Sequence, residues 1–303
     1  MLPPLANIPA DPTALAAVQR GATLYVHFKV PDLTTELKPI KGDLELDLRA
    51  GVSPNPWNVE AWAASAKKIP PQTLKAGIAQ YQFPSLEWTG KNITVAARAI
   101  GANGKASNWS NIATLPVTAP LATPSDFTAV TTANGVRLTW RGAGAHFRIL
   151  RRSDASPDYV EVGTSTTQEF LDSTAEFGKK YSYLVQVFTD LGNHREAQSE
   201  LSAEQPLTPE DKFPPAAPAD LHATASANSV ELSWEANTEP DLGSYRVYRS
   251  VNGGAFAKIA DVNEIPAYSD RAVESGKTYR YEVTAVDKSG NESARSAVAE
   301  ATV

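Results

Sequence analysis

Residues 276–293 read GKTYRYEVTAVDKSGNES, and the recurrence of this stretch organises the chain. Tyr279, Tyr281, Val283 and Ala285 alternate with Arg280, Glu282 and Thr284. A period of two over this length is the pattern of a half-buried β-strand. Gly276 opens it as a turn residue and Gly290–Asn291 closes it. The same frame occurs at Gly178–Lys179–Lys180–Tyr181–Ser182–Tyr183–Leu184–Val185, closed by Gly192–Asn193. It occurs again at Gly90–Lys91–Asn92–Ile93–Thr94–Val95–Ala96–Ala97, closed by Asn103–Gly104. A spacing of roughly 90 residues is domain-sized and too long for a solenoid repeat.

Two further landmarks keep step. Val230–Glu231–Leu232–Ser233–Trp234 matches Val136–Arg137–Leu138–Thr139–Trp140, and the first copy has Leu24–Tyr25–Val26–His27–Phe28. Tyr245–Arg246–Val247–Tyr248–Arg249 matches Phe147–Arg148–Ile149–Leu150–Arg151, and more loosely Leu44–Glu45–Leu46–Asp47–Leu48. In this order the three landmarks resemble the fibronectin type III domain, with its B-strand Trp, its C-strand Tyr/Val alternation and its Gly-x-x-Tyr corner on strand F. The resemblance covers 213–303 and 120–208 well and 12–118 in part, since Phe28 stands for the Trp and Ile93 for the corner Tyr. It implies an all-β chain of three tandem fibronectin III-like (Ig-like) β-sandwiches, at 1–118, 119–208 and 209–303. The order of modules is also similar to lipid-anchored bacterial surface proteins, which implies a cell-surface or extracellular setting.

A length of 303 residues suits three sandwiches of about 100 residues each. Cysteine is absent, which removes disulfides, thiolate metal sites and cysteine nucleophiles together. Each module must then stand on its apolar core. No run of apolar residues is long enough to span a membrane. The Pro-rich start after Met1 leads to the expectation of a removed export or lipoprotein signal, with the mature chain lipid-anchored or secreted. Charge is uneven: eleven basic against eight acidic residues in 1–118, eight against eleven in 119–208, nine against fifteen in 209–303. The acidic balance argues against a nucleic-acid partner and leaves a protein or glycan partner at the cell surface.

One segment departs from the repeat. Pro54–Ile69 is Ala-rich with helical spacing, and Val59, Trp62, Ala63, Ala66 and Ile69 share a face. The pattern predicts a short helix over 57–67, capped by Asn55 with Pro56 at the first helical position. The linkers Pro116–Pro124 and Thr208–Pro218 bear prolines and read as semi-rigid, giving a rod of a monomeric chain.

Catalytic motifs are missing. The four histidines, His27, His146, His194 and His222, show no metal-ligand spacing, and no nucleophile, acid and base converge, so an enzyme is not expected. Two binding surfaces are candidates. Trp57, Trp62 and Trp88 in the first module would stack on sugar rings or anchor a partner, or else fill a sandwich that lacks the usual core Trp. Trp109 would lie against Arg98. In the third module Glu239 and Asp241 fall in the B–C loop, and Asp287, Asn291 and Glu292 in the F–G loop, at one end of the fold. Those oxygens would hold Ca²⁺, or else shape their own turns. Arg137, Arg141, Arg148, Arg151 and Arg152 read as a solvated face. The resulting functional reading is a non-catalytic spacer or adhesion-type protein, with a carbohydrate-binding accessory protein and a self-associating structural subunit as alternatives.

Overall fold

The computed structural model describes residues 7–70, 73–75, 77–193 and 195–303. It forms two compact units: Met1–Val130, Val136–Ala175 and Lys179–Thr208 in the first, and Thr131–Gly135, Glu176–Gly178 and Pro209–Val303 in the second. The first unit holds two sandwiches. One is built from β1 (Thr13–Arg20), β2 (Thr23–Lys29), β3 (Glu45–Val52), helix α1 (Val59–Ser65), β4 (Lys67–Ile69), β5 (Thr73–Lys75), β6 (Ile78–Pro84), β7 (Asn92–Ile100) and β8 (Ala113–Pro116). The other uses β9 (Ser125–Thr132), β10 (Gly135–Arg141), β11 (His146–Ser153), β12 (Ser156–Ser165), β13 (Glu169–Asp172), β14 (Tyr181–Asp190), β15 (Glu196–Gln198) and β16 (Gln205–Leu207). The second unit is a sandwich of β17 (His222–Ala225), β18 (Val230–Ser233), β19 (Leu242–Val251), β20 (Ala257–Val262), β21 (Ala267–Asp270), β22 (Thr278–Asp287) and β23 (Ala299–Thr302).

All three follow one strand order. One sheet is β17-β18-β21 in the third sandwich, β9-β10-β13 in the second and β1-β2-β6 in the first, where β5 extends it. The facing sheets are β20-β19-β22-β23, β12-β11-β14-β15 and β4-β3-β7-β8. Alternation explains the inner faces: on β2, Leu24, Val26 and Phe28 are buried while His27 and Lys29 face solvent. The central strands β7, β14 and β22 are covered more fully than alternation alone predicts. In β14, Ser182, Leu184 and Gln186 are buried along with Tyr181, Tyr183, Val185 and Val187.

Turn chemistry starts each central strand. Gly90, Gly178 and Gly276 have φ of 79°, 77° and 80°, with nothing near an added Cβ, so backbone conformation rather than space requires glycine there. In the third sandwich the Tyr279 hydroxyl accepts the Glu274 N–H at 2.7 Å, which closes the corner. Ile93 takes that position in the first sandwich and is buried in its core.

A pair of serines completes each central strand. Between β15 and β16, which pair with the two ends of β14, the Ser199 and Ser202 N–H groups donate to the carbonyls of Val187 and Val185 at 2.8 and 3.0 Å. Their hydroxyls accept the N–H groups of those same residues at 3.0 Å each. Ser293 and Ser296 do the same for Ala285 and Val283, as do Ser107 and Ser110 for Ala99 and Ala97. Each hydroxyl also donates to the next carbonyl, such as Glu200 O at 2.7 Å.

The helix forms two residues later than expected. Asn58, not Asn55, is its cap: the backbone there is extended and the side-chain oxygen accepts the Ala61 N–H at 2.8 Å. Trp62 buries the inner face against β3. Gly51 permits this approach, since a Cβ there would lie 2.9 Å from Ala66 Cα. Gly77 (φ 75°) makes the turn between β5 and β6.

The first linker is stiffer than its prolines imply, because the two sandwiches share a sheet. Its order runs β12-β11-β14-β15-β1-β2-β6-β5. β1 and β15 pair in parallel through Gln19↔Ala197 and Arg20↔Gln198, and Gly21 N–H donates to Gln198 O at 2.7 Å. The buried Gln19 amide donates to Thr118 O and accepts Thr118 N–H, both at 2.9 Å, pinning the start of the linker to β1. Residues 1–208 are therefore expected to unfold in one cooperative step. The isolated piece 119–208 should be less stable than the same residues in 1–208 by about 1–3 kcal/mol, the scale of a few net hydrogen bonds. Calorimetry of both polypeptides checks this; two independent transitions with unchanged midpoints would contradict it.

Candidate functional site

The tryptophans of the first sandwich form part of its construction. Trp62 is fully buried and Trp88 is 6 % exposed, so neither offers a face to a sugar ring. Trp88 sits in a 3-10 turn, Leu86–Trp88, and packs edge-on against Phe83 at 5.9 Å. Trp62 is wedged between Trp109 at 5.4 Å and Trp57 at 6.0 Å. Trp57 is 45 % exposed and is the one member of the candidate trio with an accessible ring. Trp109 lies under Arg98 at 4.7 Å, with Arg49 at 5.7 Å. Both arginines hold the buried Asp47, at 2.9 and 3.1 Å, and Arg49 also donates to the Ala63 carbonyl of α1. The helix is thus tied to the sheet through one charged cluster.

In the third sandwich the two loops do meet, but with a different membership. Carboxylate oxygens of Asp211, Asp241 and Asp287 lie within 4.8 Å of one another. Asp211 lies before the sandwich's first strand, outside both loops. Asn291 serves Asp287, donating its backbone N–H to one oxygen and its amide to the other, each at 2.8 Å. Ser289 donates to Asp211 at 2.7 Å. Glu239 points elsewhere, accepting the Ala216 N–H at 2.7 Å and the Asn237 amide at 3.1 Å. Glu292 is bound by Arg246, Tyr248 (2.6 Å) and Thr284 (2.7 Å). These are the bonds of self-shaped loops.

The remaining charged groups hold the sandwich walls together. Arg148 bridges Glu161 at 2.7 Å and Glu196 at 2.9 Å, and Arg152 pairs with Glu204 at 2.6 Å. Arg151 and the Tyr183 hydroxyl both bind Asp172, at 2.7 and 2.9 Å. Arg249 and Tyr281 bind Asp270 in the same way, each at 2.9 Å. Each of the three residues is repeated 98 positions on, a constant offset that would have exposed the trio in the sequence. Burial opposes charge on Asp172, but hydrogen bonds from Thr174 and Tyr183 and the charge of Arg151 outweigh it and hold its carboxyl below the ordinary value. Asp47 is lowered likewise: burial opposes, and Arg49 and Arg98 prevail. Burial, with Asp47 nearby, pushes the Tyr81 hydroxyl up to about 12. His27 is exposed, His146 lies against Phe188 at 5.5 Å, His222 is exposed on β17, and His194 lies outside the described residues.

With this geometry in view, the comparisons with known proteins take on meaning. Residues 221–296 match the family described as PBP1-like, fibronectin3-like domain. Residues 221–296 therefore carry a fibronectin3-like domain, and the strand order of that third sandwich recurs in the other two. Exoglucanase B of Cellulomonas fimi is 29% identical over 188 residues, 60% of this chain and 17% of that protein. An amylopullulanase of Thermoanaerobacter thermohydrosulfuricus is 43% identical over 103 residues, 33% of this chain and 6% of that protein. The poly(3-hydroxybutyrate) depolymerase of Ralstonia pickettii is 42% identical over 87 residues, 28% of this chain and 16% of that protein. The chain thus spans less than a fifth of these relatives. Among solved structures, a two-domain fibronectin type III segment of chicken tenascin aligns with 59% of this chain and 99% of its own, at 16% identity and a TM-score of 0.39. A Fn3-like protein from Clostridium thermocellum is 35% identical, covering 29% of this chain and 92% of its own, with a TM-score of 0.26.

Two outcomes follow for these fibronectin-like modules. Asp172 and Asp47 have folded-state pKa values below their unfolded ones. Their stabilisation is therefore complete above the unfolded value of about 3.9 and is lost as pH falls through the depressed folded values. Asp172→Asn should lower stability at neutral pH by about 3–5 kcal/mol, by stranding Arg151, and should flatten the acid limb below about pH 4. Urea midpoints at pH 7 and pH 3 for both proteins check this. The turn role of the acidic loops predicts a thermal midpoint unmoved by Ca²⁺ and lowered by Asp287→Ala. A rise with Ca²⁺ that Asp287→Ala abolishes would instead assign a metal.

Proposed function

We propose that this chain is a non-catalytic spacer of an exported protein, one that works on or around an extracellular polymer. The observation that carries the reading is the diversity of its relatives. Their names refer to a glucan, to pullulan and to poly(3-hydroxybutyrate), while the shared segment is at most 17% of each of the three. A segment common to enzymes of such different polymers does not supply the chemistry of any one of them. What they hold in common is distance and orientation between other parts. Function here is argued from the recurrence of the module rather than from its fold.

The shared sheet supports the same role. A backbone ladder between two modules removes the hinge that a bare linker would leave, so the first unit transmits position rather than absorbing it. Polymers of this kind are met outside the cell, which favours export. Among the described residues no helix is long and apolar enough to cross a membrane. An adhesion-type or glycan-stacking role would rest on Trp57 alone among the three tryptophans, a single ring where stacking proteins of this kind need a continuous face.

The test is co-sedimentation of the purified chain with cellulose, granular starch and poly(3-hydroxybutyrate) granules. The expected result is that the protein stays in the supernatant with all three and releases no soluble product. Retention on any one of them, lost in Trp57→Ala, would replace the spacer reading with a binding one.

A further inference from the structure

The first sandwich has a cleft that the spacer role does not use. It lies where the long loop between β2 and β3 meets the turn after β7, and its volume is about 530 Å³. That is within the usual range for small-molecule sites, about 300–1,000 Å³. Its walls are fixed before any ligand arrives. Thr35 N–H donates to Ile8 O at 2.9 Å, Thr34 N–H to Lys38 O at 2.7 Å, and Ala10 N–H to Leu33 O at 2.9 Å. Across the opening, Gly101 N–H donates to Lys105 O at 2.9 Å and the Asn103 amide to Asn7 O at 3.2 Å. A site whose backbone is already ordered loses little entropy on binding.

The lining is one-sided in charge. Lys38 and Lys41 contribute two ammonium groups, and among the described residues no carboxylate lines the cleft. Among the described residues neither lysine forms an ion pair, whereas Lys67 and Lys68, on β4 of the same sandwich, are both paired with glutamates. The module is also the only one of the three with a basic balance, eleven basic against eight acidic residues in 1–118. Pro39 and Ile40 present apolar surface beside the cations, and Asn7 stands at the rim. Cations for an acidic group, apolar walls for ring C–H faces and a rim amide for a hydroxyl are the chemistry of a sugar that carries a carboxylate.

We infer that this cleft binds an anionic saccharide, with Lys38 and Lys41 pairing its acid group. The choice of a saccharide over another organic anion rests on the extracellular-polymer setting proposed above; the cation pair and the cleft do not. The polymers in the sedimentation test are uncharged, so that test and this one fail separately.

The experiment is isothermal titration of the full chain with trigalacturonate, maltotriose and inorganic phosphate at low salt. Saturable binding of trigalacturonate is expected, with maltotriose and phosphate weaker by about tenfold or more. Raising the salt should weaken it further. Lys38→Ala/Lys41→Ala should lose about tenfold in affinity, while Lys38→Arg/Lys41→Arg retains binding; an unchanged thermal midpoint in both confirms the fold. Lack of saturable binding, equal binding of maltotriose or phosphate, or an alanine variant that binds like the parent would overturn the inference.

Discussion

A strand covered on both sides cannot leave N–H groups unpaired, and this constraint shapes every module of the chain. β7, β14 and β22 each lie inside a sheet, yet regular pairing along one edge is incomplete: β8 and β23 reach only the first residues of β7 and β22, and β15 and β16 pair with the two ends of β14. The serine pairs resolve the conflict. Each serine supplies an acceptor and a donor to the same residue of the central strand, so a pair replaces a stretch of ladder without a regular strand to carry it. An unpaired buried donor costs about 1–3 kcal/mol, which makes these hydroxyls as structural as any core side chain. The pattern Ser-x-x-Ser at 107–110, 199–202 and 293–296 is plain once its purpose is known.

The buried polar trio shows that the same frame tolerates a second solution. Strand register places Ala50, Phe83 and Val95 of the first sandwich where the others have Arg151, Asp172 and Tyr183, or Arg249, Asp270 and Tyr281. All three replacements are buried in the first core. Exchanging a buried ion pair for apolar residues of similar volume is often neutral or favourable, and here it happens within one chain. The first module moves its charged cluster instead to Asp47, Arg49 and Arg98, on the outer side of the sheet, where it anchors the helix. Its departure from the repeat is thus a redistribution of parts around α1.

Alternation and turn residues made the three strand sets legible, because both are local. Helix α1 was visible in its spacing, but its cap was misplaced, because Asn55 and Asn58 are equally good caps until the backbone chooses. Tryptophan packing is legible for Trp62, which the helical spacing puts on the apolar face, but not the exposure of Trp57. How closely Trp62 can pack depends on Gly51 across the sheet, a relation between residues far from a common pattern. The loop assignments bring the acidic residues to one end of the third module, yet Glu239 and Glu292 turn away, because each has a nearer donor in three dimensions. The cleft at Lys38 and Lys41 carries no motif, being assembled from two loops and the lead-in at Asn7 and Pro9.

The parallel pairing of β1 with β15 bears on how such a chain can be inherited. Genes for modular proteins are cut and rejoined between modules, and a cut is harmless only where no backbone ladder crosses it. Severing the first sandwich from the second would expose the edge of β1 along Gln19 and Arg20 and open a strand edge to unintended partners. The two N-terminal modules are thus constrained to travel together as one heritable part. Residues 221–296, by contrast, match a family model by themselves.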